Sequence, residues 1–194
     1  MREKCYPSFD QVAYIYVVPF VERWRRKIKN IRKQNGDEKA CVFDKFISEF
    51  IIYSSLVNVI KPMEHKHRFD KSYCTEVMAK FLVERIDDAF IGRVAMPTEE
   101  LIGIIESKQF TVVSSSNENP ELKFNWESSD PFCRLNALLK TLYYLRCNLF
   151  HGAKEYSDNQ VQLLKPAYHC LSLINDGIMD VYLDEGYKVN DVHR

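Results

Sequence analysis

Hydrophobic residues recur at three- and four-residue intervals along most of this chain, the period of a helix that buries one face. Tyr14, Val17, Val18, Val21, Trp24 and Ile28 keep that spacing. They predict a first helix from an N-cap at Asp10 to about Lys33. Pro19 lies inside it and predicts a kink or a division, because proline lacks the backbone donor and crowds the preceding turn. Asn35-Gly36 closes the segment, and Asp37 caps a second helix from about Glu38 to Ile60, stopped by Pro62. There Val42, Phe46, Phe50, Tyr53 and Val57 form one stripe, widened by Ile47, Ile51 and Ile52. A stripe that broad belongs near the centre of a core.

The helical period continues from about Ser72 to Phe90, a third helix, and Pro97-Thr98-Glu99-Glu100 reads as the start of a short fourth from Thr98 to Glu106. Between Lys108 and Ser129 the pattern changes. Gln109 to Val113 looks extended, Ser114 to Pro120 is polar and Leu122 to Trp126 alternates, which suits a small hairpin or a mobile loop equally. Asp130-Pro131 opens a fifth helix, expected to end near Arg146 to Asn148. Ser157-Asp158-Asn159-Gln160 resembles a capping box for a sixth that reaches about Glu185, with Pro166 marking a bend or its true first turn. The expected fold is all-α, an up-and-down bundle of about five to six helices in one domain over residues 1–194, with an irregular or hairpin insertion near 108–129.

Composition narrows the class. At 194 residues, 46% of them hydrophobic, the chain can bury one substantial core, and six Gly with seven Pro leave little room for the turns of an all-β fold. Lys plus Arg equals Asp plus Glu at 27 each, so no overall basic field points to nucleic acid, although a cleft can be positive on a neutral protein. The six cysteines are scattered without a Cys-x-x-Cys pair and no signal peptide precedes them, the pattern of reduced thiols in a cytoplasmic protein. Val12 to Val21 contains Pro19 and Phe46 to Ile60 carries Glu49, so neither run predicts a membrane span.

The densest chemistry lies in Arg146-Cys147-Asn148-Leu149-Phe150-His151-Gly152-Ala153-Lys154. An Arg can hold a phosphate by paired hydrogen bonds while a His moves a proton near neutral pH. Residues five apart lie about 140° apart round a helix, so the chain must bend to bring Arg146 and His151 together. Asn148 and Gly152 tolerate the left-handed backbone that ends helices and would place His151 on the following turn. The plainer account is an ordinary helix end, where both cations complement the helix dipole.

This run resembles the HEPN superfamily of all-α proteins, found in prokaryotic toxin, abortive-infection and other defence systems. Many members carry an Arg followed four to six residues later by a His, and one large branch reads Arg-Asn-Asn-Leu-Phe-His-Gly-Gly-Lys. Arg146, Asn148, Leu149, Phe150, His151, Gly152 and Lys154 match that run, whereas Cys147 and Ala153 depart from it. Phe46-Ile47-Ser48-Glu49-Phe50-Ile51-Ile52-Tyr53 is a weaker echo, similar to an apolar aromatic helix earlier in such proteins. The resemblance implies a homodimer that cleaves RNA at a shared cleft without a metal, and no other cofactor is expected. His151 would be the general acid or base, Arg146 would stabilise charge on the phosphate and Asn148 would orient the His or the phosphate. The 2′-hydroxyl would attack, leaving a cyclic phosphate. A thiol is a weaker hydrogen-bonding group than an amide, so Cys147 in place of Asn is expected to reduce activity if that position aids catalysis. The implied biology is a toxin or defence effector checked by an antitoxin or other regulatory protein. The competing class is a non-catalytic dimeric adaptor that binds a nucleotide, RNA or a protein in the same cleft.

Other clusters carry weaker signals. Arg23, Arg25, Arg26, Lys27, Lys29, Arg32 and Lys33 crowd the end of the first helix, and Arg25 and Lys29 join Lys154 as candidate RNA contacts, against the commoner reading of a solvated charged face. Glu64-His65-Lys66-His67 has alternating imidazoles but no second ligand cluster, so a surface loop is the better account and no metal is expected. His169 and Cys170 are adjacent on a helix and diverge by about 100°, which favours packing over a ligand pair.

Overall fold

The computed structural model describes residues 11–34, 38–60, 70–86, 88–109, 128–150 and 158–191. Among them the chain forms six helices and no strand. Helix α1 is Gln11–Gln34 and α2 is Glu38–Ile60. Helix α3 covers 70–85 and contains a π-helical turn, Tyr73–Val77, between Asp70–Ser72 and Met78–Arg85. Helix α4 covers 88–109, Asp88–Ile104 followed by a second π turn at Ile105–Gln109. Helix α5 is Pro131–Phe150 and α6 is Asp158–Asp191. No described helix is long and apolar enough to cross a membrane.

Helix α2 packs against α1 on one side and α6 on another, and it touches the π turn of α3; α4 lies on α6, and α3 lies on α5. The predicted α2 stripe is the reason. Phe46, Phe50, Tyr53 and Val57 are buried, as are Ile52 and Leu56 beside them, so α2 offers apolar surface to several neighbours at once. Each such side chain contributes about 1.5–3 kcal/mol when fully buried. Helix α6 answers with Leu163, Leu164, Ala167, Leu171, Ile174 and Ile178 at helical spacing.

Two expectations about boundaries change, and at Pro19 and Pro166 one of two alternatives is removed. Pro19 does not divide α1, and its ring is exposed, on the side where water can take the carbonyl that its missing donor leaves unpaired. The third helix stops at Arg85 rather than Phe90, where Ile86 turns extended at φ −115 and ψ 145. The short helix expected from Thr98 is the second half of α4, with Pro97 buried in its interior. Phe90, Val94, Thr98 and Leu101 form one continuous buried stripe across that proline. Their combined burial outweighs a penalty of about 3 kcal/mol for proline inside a helix. Pro166 likewise lies within α6 and is not its first turn.

At the start of α5 the local signal and the structure agree. The Asp130 carboxylate accepts the Phe132 N–H at 3.0 Å and the Cys133 thiol at 3.2 Å, while Ser128 Oγ accepts the Asp130 N–H at 3.2 Å. Pro131 occupies the first helical position, where its missing N–H costs nothing. The hairpin or loop expected near 108–129 lies outside the described residues except at its ends, and so does the Glu64 to His67 cluster.

Candidate functional site

Helix α5 runs to Phe150, past the end expected near Arg146 to Asn148, so Arg146, Cys147 and Asn148 occupy its last turn and a half. His151, Gly152 and Lys154 lie outside the described residues. Arg146 is half-buried, with its guanidinium carbon 5.6 Å from the centroid of the Phe50 ring. Tyr143, one turn earlier, packs on the same ring with centroids 6.4 Å apart. Arg146 Nη1 also lies 3.9 Å from Cys147 Sγ. The aromatic floor holds the cation while part of it stays accessible.

Asn148 points elsewhere. Two residues along a helix turn through about 200°, so Asn148 projects about 160° away from Arg146, toward the side of Tyr144 one turn before it. Tyr144 is buried, and its hydroxyl accepts a hydrogen bond from the ammonium of Lys71, which also lies 4.8 Å from the centre of the Tyr144 ring. The last turns of α5 are therefore flanked by two cations, Arg146 on the α2 side and Lys71 from α3. Lys71 had no signal in the sequence, because its partner is 73 residues away. Two bonds fix the backbone at the π turn that follows it. Thr75 Oγ1 donates to Lys71 O at 2.8 Å, and the Tyr53 hydroxyl of α2 donates to Cys74 O at 2.6 Å. Burial pushes the Tyr53 phenol well above its ordinary range, so that donor keeps its proton.

Arg25, one of the candidate RNA contacts, is engaged within the fold. Its Nη1 donates to Ser172 Oγ at 3.0 Å, and its Nη2 donates to Ser172 O at 3.2 Å and to Asp176 Oδ1 at 2.7 Å. Glu49 Oε1 faces Nη1 at 3.2 Å as an ion pair without well-aligned hydrogen-bond geometry. The Asn175 amide donates to Glu49 Oε2 at 2.8 Å and to Glu49 O at 2.9 Å. Glu49 is completely buried in the middle of α2. Its burial pushes the carboxyl up, opposed first by Arg25 and then by the Asn175 hydrogen bond. Asp176 is raised for the same reason and opposed by the same cation. This network joins α1, α2 and α6, and it holds the Arg25 guanidinium inward. Lys29 is exposed on α1 together with Arg23, Arg26 and Lys27.

The His169 and Cys170 pair separates as helix geometry requires. Cys170 is fully buried beside Thr98 Oγ1 at 3.6 Å, and burial pushes its thiol up to about 12, whereas His169 is exposed. Among the described residues no group of three metal-ligating side chains comes together, and Cys41, Cys74, Cys133, Cys147 and Cys170 are free thiols. The described site thus consists of a helix end between two cations, within an all-α bundle. No protein-family model, no curated protein and no solved structure matches this chain.

Proposed function

We propose that this chain is a metal-independent endoribonuclease of HEPN type, working as a homodimer whose cleft brings two copies of the α5 end together. The observation that carries the reading is the seat of Arg146. A half-buried guanidinium resting on Phe50 in the last turns of α5 is held in place before any phosphate arrives. Such a preorganised cation can stabilise charge that develops on phosphate oxygens. In the reaction, His151 takes the proton of the ribose 2′-hydroxyl as that oxygen bonds to phosphorus. The bond from phosphorus to the 5′-oxygen breaks, and the departing oxygen takes a proton from water, to which the His151 imidazolium then returns its own. The products are a 2′,3′-cyclic phosphate and a 5′-hydroxyl. Asn148 orients the imidazole or the phosphate, and Lys154 adds a cation to the strand. The biological role that follows is a toxin or defence effector restrained by an antitoxin or other regulatory protein.

Cys147 enters this scheme through packing. It is only 6% exposed and touches Arg146, so its thiol helps to seat the guanidinium rather than meeting the substrate. An amide in that position would need buried hydrogen-bond partners. One observation favours the second reading, a non-catalytic dimeric adaptor for nucleotide, RNA or protein: Arg146 and Asn148 leave α5 on opposite sides and do not converge within one protomer. Incubation with total RNA in excess chelator separates the two. The wild type is expected to release fragments with cyclic phosphate ends, and His151→Ala to cut about 100-fold or more slowly, the usual loss for a general acid or base. Two folded proteins that both leave RNA intact would sink the ribonuclease reading and advance the adaptor.

A further inference from the structure

The outer face of α1 carries four exposed cations, Arg23, Arg26, Lys27 and Lys29, within two turns. They stand three and four residues apart, the spacing at which like charges on a helix repel and weaken it. Glu22 is the acid exposed beside them. Lys27 lies 4.2 Å from the centre of the Trp24 ring, and among the described residues Arg23, Arg26 and Lys29 make no ion pair. The opposite face of α1 is occupied, with Val17, Val21, Ile28 and Ile31 buried in the core. The helix is thus anchored by its apolar side and displays an excess of positive charge on a chain whose net charge is zero.

Its position gives the patch a direction. Arg25, in the middle of the run, reaches Glu49, and Arg146 rests on Phe50, the next residue of α2. Neighbours on a helix differ by about 1.5 Å in height and 100° in azimuth, so α1 and the end of α5 meet α2 at one level from different sides. Both helices thus pack on the same stretch of α2, which sets the course a bound polyanionic strand would take from the α1 patch toward Arg146.

We infer that Arg23, Arg26, Lys27 and Lys29 form a docking surface for the phosphate backbone of single-stranded RNA, leading to the end of α5. The choice of RNA rests on the ribonuclease reading above. A bilayer is disfavoured because a helix that lies on a membrane presents apolar side chains to it. Here the apolar face of α1 is used by the core, and the large hydrophobic side chain exposed among the described residues is Met96 of α4.

The test uses full-length His151→Ala protein, so that RNA stays intact, and a fluorescein-labelled 30-nucleotide single strand titrated at several salt concentrations. In that background Arg26→Gln/Lys29→Gln is compared with Lys80→Gln/Lys165→Gln, which removes two exposed charges from α3 and α6. Circular dichroism checks that both remain folded. The α1 pair is expected to weaken binding about tenfold and to flatten the salt dependence by about 1.4 in slope, at ~0.7 per lost phosphate contact on a single strand. The control pair should match its parent. Equal weakening by both pairs, no change in either, or no RNA binding by the parent overturns the proposal. So does loss of binding to phosphatidylserine vesicles in the α1 pair while RNA binding stays intact. If wild type fails to cut RNA but the α1 pair still weakens binding, the catalytic reading falls and this one stands. If wild type cuts and the α1 pair binds RNA normally, the docking surface alone is refuted.

Discussion

Replacing Arg25 by Met keeps much of the aliphatic stem and deletes the charge, and the structure sets the size of the loss. The two ion pairs that disappear differ in worth. The Asp176 pair is 2.7 Å long but ends on a side chain that is 58% exposed, where solvent screening limits it to about 0–1 kcal/mol. The Glu49 pair ends on a carboxylate with no exposure, and removing one partner of a buried pair costs about 3–5 kcal/mol. Arg25 is itself 25% exposed and Asn175 still donates to Glu49, so the expected loss at neutral pH is ~2–4 kcal/mol. In a chain of 194 residues this lowers Tm by roughly 5–15 °C. The deficit should also depend on pH. Burial raises the Glu49 carboxyl in the folded state, so the folded protein holds that proton more tightly than the unfolded chain does. Stability linked to it is fully present below the unfolded value and is lost as pH rises through the folded value. Without Arg25 the folded value climbs further. The deficit should therefore be largest near neutrality and shrink toward the ordinary carboxylate range. Adding Glu49→Gln removes the stranded charge and should recover at least about half of the loss. Urea unfolding followed by circular dichroism, on wild type, both single variants and the double, measures this near pH 7.5 and again near pH 5. A neutral-pH deficit below about 1 kcal/mol, or the same deficit at both pH values, refutes the reasoning.

Two glycines make opposite predictions for thermal unfolding. A Cβ at Gly177 of α6 would lie 2.5 Å from Phe90 Cε2 and 3.1 Å from Ile86 Cδ1, so Gly177→Ala should cost about 1–2 kcal/mol after the gain in helix propensity. A Cβ at Gly92 of α4 meets nothing within 4 Å, and Gly92→Ala should stabilise by about 0.5–1 kcal/mol. For thiol chemistry, Cys133 is half-exposed whereas Cys170 is buried with its thiol pushed up to about 12. An aromatic disulfide reagent near pH 8 should label Cys133 in the native protein and reach Cys170 only after unfolding; equal labelling of the two would show that the site beside Thr98 opens.

The parts of the site that could be read locally and those that could not differ in kind. The run from Arg146 to Lys154 is contiguous, so it is legible in the sequence, and Asp130-Pro131 marks the start of the helix that carries Arg146, Cys147 and Asn148. The seat of Arg146 on Phe50 was not visible, nor was the approach of Lys71 to Tyr144, since each joins residues far apart along the chain. Arg25 shows the converse. In the sequence it is one cation in a basic run, equivalent to Arg26. In the fold it is drawn inward by Glu49, Ser172 and Asp176, and Arg26 is left outside.

Local signals along the chain are enough to mark the described residues as helical and to place several helix ends. Capping residues, breakers and apolar period act within a few residues of themselves, and α2 from Glu38 to Ile60 agrees with its predicted span. Tertiary packing decided what those helices do with residues that break the local pattern. The stripe from Phe90 to Leu101 carries α4 through Pro97, because burial against α6 exceeds the local penalty. Glu49, an acid within an apolar run, is tolerated because Arg25 and Asn175 come from two other helices to meet it. Those partners are brought by the fold as a whole, and a charge in the core is stable only when they arrive together.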